Sequence, residues 1–151
     1  MRRTEARGEA ARVAGFRSRD EAQEVIDRTF LAVENDESLG PMLQAAALRE
    51  ELRLSDLDLT VAIGASDGDR CLDWSFAQPP PFEPRISLTM NSQVANSILQ
   101  GAESIGVAIA RRRMRIEGSA GAALVHLPAL RLIRRPYADL IERDYPHLLI
   151  R

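Results

Sequence analysis

Apolar residues recur at three- and four-residue spacing over residues 21–35. Ala22, Val25, Ile26, Thr29, Phe30 and Val33 share one face, which predicts an amphipathic helix capped by Asp20. A second helix is predicted over 39–50, with Pro41 in its first turn and Met42, Leu43, Ala46 and Ala47 on its apolar face. The period then drops to two. Leu57, Leu59, Val61 and Ile63 alternate with Asp58, Thr60 and Ala62, the signature of a half-buried strand. Ser66-Asp67-Gly68-Asp69 is turn chemistry, so a hairpin leads into a strand over 70–77. Leu72, Trp74 and Phe76 lie on one side of it, Cys71, Asp73 and Ser75 on the other. The run Q-P-P-P-F-E-P at 78–84 cannot be a central strand, because proline has no N–H to donate, and it reads as a stiff extended connection. Residues 85–90 form the third strand, with Ile86, Leu88 and Met90 facing one way.

The second half repeats the alternation of periods. Asn91 or Ser92 caps a helix carrying Val94, Ala95, Ile98 and Leu99, and Gly101 ends it. A short helix follows at 103–111 on Ile105, Ala108 and Ile109. Met114 and Ile116 alternate with Arg113, Arg115 and Glu117 in a fourth strand, stopped by Gly118. Ser119 caps a helix that is apolar almost all round through Leu124 and Leu127, and Pro128 kinks or restarts it. Pro136 is expected to start a last helix at 137–144, closed by Pro146. Helices and strands in this order predict an α+β fold with a mostly antiparallel sheet. Residues 1–19 read as a flexible N-terminal arm, and residues 20–151 as a single domain with a C-terminal helical extension.

At 151 residues the chain can bury a core of its own. Net charge is −2, which speaks against a nucleic-acid partner. The charge is uneven: residues 1–100 hold 11 Arg and 17 acids, residues 101–151 hold 9 Arg and 5 acids. Every basic residue other than histidine is arginine, so no lysine can form a Schiff base. One cysteine, Cys71, excludes an intrachain disulfide and a cysteine-rich metal site. His126 and His147 have no ligand-spaced partners, no nucleophile elbow or phosphate loop is present, and no cofactor is implied. The acids Glu34, Asp36 and Glu37 read as a solvated helix end. The run Arg111, Arg112, Arg113 and Arg115 would make transient contact with an anionic membrane surface. With no secretory leader and no run long enough to span a bilayer, a cytoplasmic location is expected.

Several stretches resemble the sterol carrier protein 2 domain. They are L-D-L-T-V-A-I, the hairpin S-D-G-D-R, the strand end L-T-M before N-S-Q-V-A-N-S-I-L-Q-G, and R-M-R-I-E-G before an apolar helix. Ile98-Leu99-Gln100-Gly101 is similar to that family's -LLTG-like helix close, and Met114-Arg115-Ile116-Glu117-Gly118 to its G-K-L-K-V-x-G-D strand. The resemblance spans residues 21–132. The chain departs from the pattern where the glycine before the strand gives way to Arg112 or a neighbour, and where Ser119 replaces the acid after the second glycine. It also departs in the lengthened connection P-P-P-F-E-P, in the tail from Arg134, and in an L-L-I-R ending in place of the S-K-L address of some members.

The resemblance implies a five-stranded sheet covered on one face by helices, with an apolar tunnel between them for a fatty acyl chain, sterol or similar lipid. Four strands are evident in the sequence, and the fifth is expected within 55–58 or the tail. Trp74, Phe76, Met90, Val94, Ile98, Ile105, Met114, Leu124 and Leu127 are the expected ligand-binding residues. The expected role is non-catalytic binding and transfer of a hydrophobic small molecule. The alternative is a protein–protein interaction module or accessory subunit that reuses the fold with a closed tunnel, and self-association as a homodimer is carried with it. A small isomerase would need a pocket acid or base, for which Asp73 and His126 are the candidates.

Overall fold

The computed structural model describes residues 15–150, so most of the arm expected at 1–19 lies outside the described residues. Helix α1 (Arg19–Asn35) starts one turn earlier than its apolar pattern, because Ser18 is its cap and accepts from the Glu21 N–H at 3.1 Å. All six residues of the expected apolar face are buried. Helix α2 (Leu39–Ala45) stops well short of Glu50. Ala47 takes a positive φ of 53°, and the chain turns into strand β1 (Arg49–Leu54). This is the fifth strand, and it lies in neither place expected. Its two glutamates, Glu50 and Glu51, disguised it as a helix end.

Strands β2 (Leu59–Ala65), β3 (Leu72–Ser75), β4 (Ile86–Met90) and β5 (Met114–Gly118) complete the sheet. The order is β3-β2-β1-β4-β5. Every pairing is antiparallel except β1 with β4. The missed strand is therefore the central one. Helix α3 (Ser92–Leu99) is capped by Asn91, α4 (Ile105–Ala110) by Ser104 and α5 (Ala120–His126) by Ser119. Helix α6 (Ala129–Asp144) runs straight through Pro136 and does not begin there. A single 3-10 turn (Pro146–Leu148) follows.

The register sorts the two faces of the sheet. Glu50, Leu52 and Leu54 of β1 align with Ile63, Val61 and Leu59 of β2 and with Ile86, Leu88 and Met90 of β4. Leu72 and Trp74 extend this face through β3, and Met114 and Ile116 through β5. Apart from Glu50 it is an apolar floor, and α1, α3 and α6 cover it. The opposite face carries Arg53, Thr60, Asp73, Thr89, Arg115 and Glu117.

The proline-rich segment has a topological task. The chain leaves β3 at one edge and must pass β2 and β1 to reach β4. Phe82 packs against Gly64 on the polar face, where a Cβ would lie 3.0 Å from Phe82 Cε1, and the Arg49 guanidinium stacks 5.7 Å from the Phe82 ring centre. The connection thus crosses on the side away from the helices.

The acids at the end of α1 are not idle. The Glu34 carboxylate accepts from the N–H of Cys71 at 2.8 Å and of Leu72 at 2.9 Å, fastening the β2–β3 hairpin to the helix. Asp36 Oδ1 accepts from the N–H of Ser38 and of Leu39, both at 2.9 Å, and so opens α2. The free N–H groups of short elements create this demand for carboxylates.

Candidate functional site

Between the sheet floor and the helix layer lies a narrow apolar cavity. Ile26, Thr29 and Phe30 reach it from α1, Ala95, Ile98 and Leu99 from α3, and Leu130, Ile133 and Tyr137 from α6. Glu50, Leu52, Ile63, Leu88 and Met90 form its base. Its interior measures about 60 Å³, against the roughly 10–15 Å³ that one water molecule needs on the same measure.

The polar groups of the helix wall are already engaged. Thr29 Oγ1 donates to the Val25 carbonyl at 2.7 Å. The Tyr137 hydroxyl donates to Asn96 Oδ1 at 2.6 Å, and Asn96 Nδ2 donates to the Leu148 carbonyl at 2.9 Å. Burial raises the Tyr137 phenol well above its ordinary value, so it stays a neutral donor. This buried chain joins the cavity wall to the 3-10 turn, and Arg28 ties α1 to Asp144 at 2.5 Å on the outside.

Glu50 differs from its neighbours. It is 2 % exposed, and its Oε2 has no hydrogen-bond partner among the described residues. The nearest base is His126 at the end of α5, 1 % exposed, with Nδ1 3.9 Å from Oε2 and likewise unpartnered. Burial in an apolar setting pushes the Glu50 carboxyl up to about 7. Burial first, and Arg85 second, hold His126 below its ordinary value. Both shifts favour a neutral pair, an acid and an imidazole, over an ion pair.

Of the nine residues expected from the sequence, Met90 and Ile98 line this cavity. Val94 and Met114 are buried in the core elsewhere. Trp74 sits half-buried beyond Phe30, with rings 5.6 Å apart, and its Nε1 donates to Asp27 Oδ1 at 2.9 Å. Phe76, Ile105 and Leu127 pack on the rim of the core, while Leu124 is 79 % exposed. Asp73 is exposed on the opposite face from His126, so the two isomerase candidates do not meet. Sequence reading missed Glu50, Tyr137 and the α1 wall. The signal for Glu50 was present: Leu48, Leu52 and Leu54 set a period of two in which a glutamate occupies an apolar position.

In the arginine run, Arg113 pairs with Glu103 at 3.0 Å and Arg115 with Glu117 at 3.1 Å. Arg111 and Arg112 are exposed beside Val107 and Ile109, themselves 43 % and 41 % exposed. Among the described residues no helix is long and apolar enough to cross a membrane, and no cluster of His, Cys, Asp and Glu is suited to a metal ion.

No protein-family model and no curated protein sequence matches the chain. Solved structures do. The UbiJ-SCP2 ubiquinone synthesis protein superposes with a TM-score of 0.52 at 8 % identity, over 70 % of this chain and 84 % of that one. The sterol carrier protein domain 2 of Helicoverpa armigera gives 0.52 at 15 % identity, over 75 % and 87 %. The sec-alkylsulfatase Pisa1 from Pseudomonas sp. gives 0.48 at 13 % identity, over 62 % of this chain and 15 % of the enzyme. The chain has the sterol carrier protein 2-like fold: a five-stranded, mostly antiparallel mixed sheet with helices packed against it.

Proposed function

We propose that this chain, with its sterol carrier protein 2-like fold, binds a hydrophobic small molecule without catalysing a reaction on it. The observation that carries the reading is the cavity itself, in which apolar side chains from three helices face an apolar sheet across an unfilled gap. Interiors normally close-pack, so a gap of this kind between two layers is a natural point of entry. Each methylene buried there would contribute about 0.8 kcal/mol. The cavity at about 60 Å³ is small beside a lipid, so a ligand of that length parts the helix layer from the sheet as it enters. Exposed Arg111 and Arg112, beside Val107 and Ile109 on α4, would hold the protein briefly at an anionic membrane surface while the ligand transfers.

Ala95 offers the test, since it lines the cavity and is small. In Ala95→Trp the indole fills the gap. Binding of a pyrene-labelled alkyl probe to delipidated protein is expected to weaken at least about tenfold. The melting temperature should fall by only a few degrees, because overpacking costs about 1–3 kcal/mol. Unchanged, saturable probe binding in the filled variant would place the ligand elsewhere. Absence of binding in the wild type favours the second reading, an interaction module with a closed interior. The small cavity and the exposed side chains Val107, Ile109 and Leu124 support that alternative.

A further inference from the structure

The cavity base carries one acidic side chain, and His126 stands beside it just outside the lining. Glu50 lies on its base in the central strand, flanked across the ladder by Ile63 and Ile86. A buried carboxyl and a buried imidazole that are each left without a partner bear the full desolvation penalty for no return. Natural interiors rarely keep even one such group unless something else satisfies it. Here two stand side by side.

Their separation is informative. At 3.9 Å, Glu50 Oε2 and His126 Nδ1 are too far apart to bond each other. A third oxygen about 2.8 Å from both, an ordinary O–H···O length, would see them at an angle of about 90°. One atom can thus serve both groups.

We propose that Glu50 and His126 form the polar anchor of the ligand site and take the hydroxyl of an otherwise apolar molecule. The inference rests on the binding function proposed above and specifies its ligand. The neutral Glu50 acid donates to the ligand oxygen. The ligand O–H donates in turn to Nδ1 of His126, whose ring proton is then on Nε2. A hydroxyl both donates and accepts, so it satisfies the pair completely. A carboxylate ligand would bring a second acid beside Glu50, and Arg85, which acts on His126, does not line the cavity to balance it. An ammonium would pair only with ionised Glu50, which burial disfavours. The polar and charged groups around the pair are His126 itself on α5, Arg85 just before β4, which acts on His126, and Thr29 on α1 and Tyr137 on α6, which share the cavity lining with Glu50. Thr29 and Tyr137 already donate to other acceptors.

The experiment is displacement of the pyrene-labelled alkyl probe by four ligands of equal chain length: 1-decanol, decyl methyl ether, decanoate and decylamine. Each is titrated into wild type, Glu50→Gln, Glu50→Leu and His126→Leu at about pH 6. In wild type, decanol should displace the probe at about one-tenth the concentration needed for the ether, the value of one good hydrogen bond. The preference should shrink to less than about twofold in His126→Leu, which removes the acceptor that an ether cannot use, whereas Glu50→Leu should weaken alcohol and ether alike by about tenfold and Glu50→Gln, still a donor, by less. Equal displacement by decanol and ether in wild type would mean that the pair holds only a water molecule, and the anchor is lost while the apolar site stands. A preference for decylamine or decanoate overturns the hydroxyl assignment. If no ligand displaces the probe, or none binds at all, the binding function itself fails, which is a distinguishable outcome. The wild-type series decides the matter even if His126→Leu or Glu50→Leu does not fold.

Discussion

Replacing Gly118 with alanine is expected to cost about 3–5 kcal/mol of folding stability and to lower the melting temperature by roughly 10 °C or more. Gly118 closes β5 at φ +129°, a region that side chains avoid. A Cβ there would lie 2.2 Å from the Arg85 carbonyl oxygen and 3.0 Å from Ile86 Cα. Both are backbone atoms of the adjoining chain, so no rotamer change relieves the overlap. The strand must shift, and the pairing of Gly118 with Ile86 goes with it. Gly101 provides the control. Its φ is +76°, yet a Cβ there meets nothing within 4 Å, so alanine at 101 should cost only about 1 kcal/mol of backbone strain. Thermal melts of the two variants compare clash with strain directly, and equal losses would refute the steric account. The effect reaches the site as well. Helix α5 begins two residues after Gly118 and ends at His126, so a displaced β5 draws the imidazole away from Glu50.

Stability should also depend on the protonation of Glu50, with a sign opposite to that of most carboxyls. Burial raises its folded-state pKa from 4.5 to about 7. A carboxyl whose folded value lies above its unfolded one favours the native state while protonated. Its contribution is whole below pH 4.5 and is lost as the pH rises towards about 7. Across that window the fold should lose about 3 kcal/mol. Glu50→Gln cannot ionise. At about pH 8 it should melt roughly 5–10 °C above the wild type, and the two curves should converge towards pH 4.5. His126 works the other way: its depressed pKa costs stability as pH falls through the ordinary histidine range, because burial opposes charging. Parallel pH profiles for wild type and Glu50→Gln would show that Glu50 is not held neutral.

The elements best legible in the sequence were those whose period met no interruption. The faces of α1 and α3, the alternation in β4 and β5, and the caps Asn91 and Ser119 follow from residue spacing and local hydrogen-bond chemistry. The misreadings share one cause, a local rule overridden by tertiary packing. Two adjacent glutamates look like helix, yet Glu50 and Glu51 are buried in the central strand. Pro136 looks like a helix start, yet α6 continues through it, held by the packing of Ile133, Tyr137 and Leu140. Glu34 looks like a solvated terminus, yet it meets N–H groups 37 and 38 residues away, which no local pattern reveals. The cavity lay at the limit of this reading. Spacing identifies which residues face inward, and Met90 and Ile98 were identified in that way. Which inward residues border a gap depends on how three helices sit on the floor. The walls from α1 and α6 come from segments more than 90 residues apart.

The crossing of the proline-rich segment on the polar face has a mechanical consequence. Phe82, against Gly64 and under Arg49, braces β1 and β2 from behind, while β4 is hydrogen-bonded directly to β1. On the helix side α1 is tied to the sheet as well, by Glu34 at the N–H groups of Cys71 and Leu72 and by Asp27 at Trp74. If a ligand enters as proposed, the sheet with α1 would be the fixed side of the interior, and α3 and α6 the side that yields. Glu50 lies in the central strand on the fixed side, while His126 ends the short helix α5, which packs on α6. On that proposal the separation of Glu50 and His126 would report how far the interior has opened.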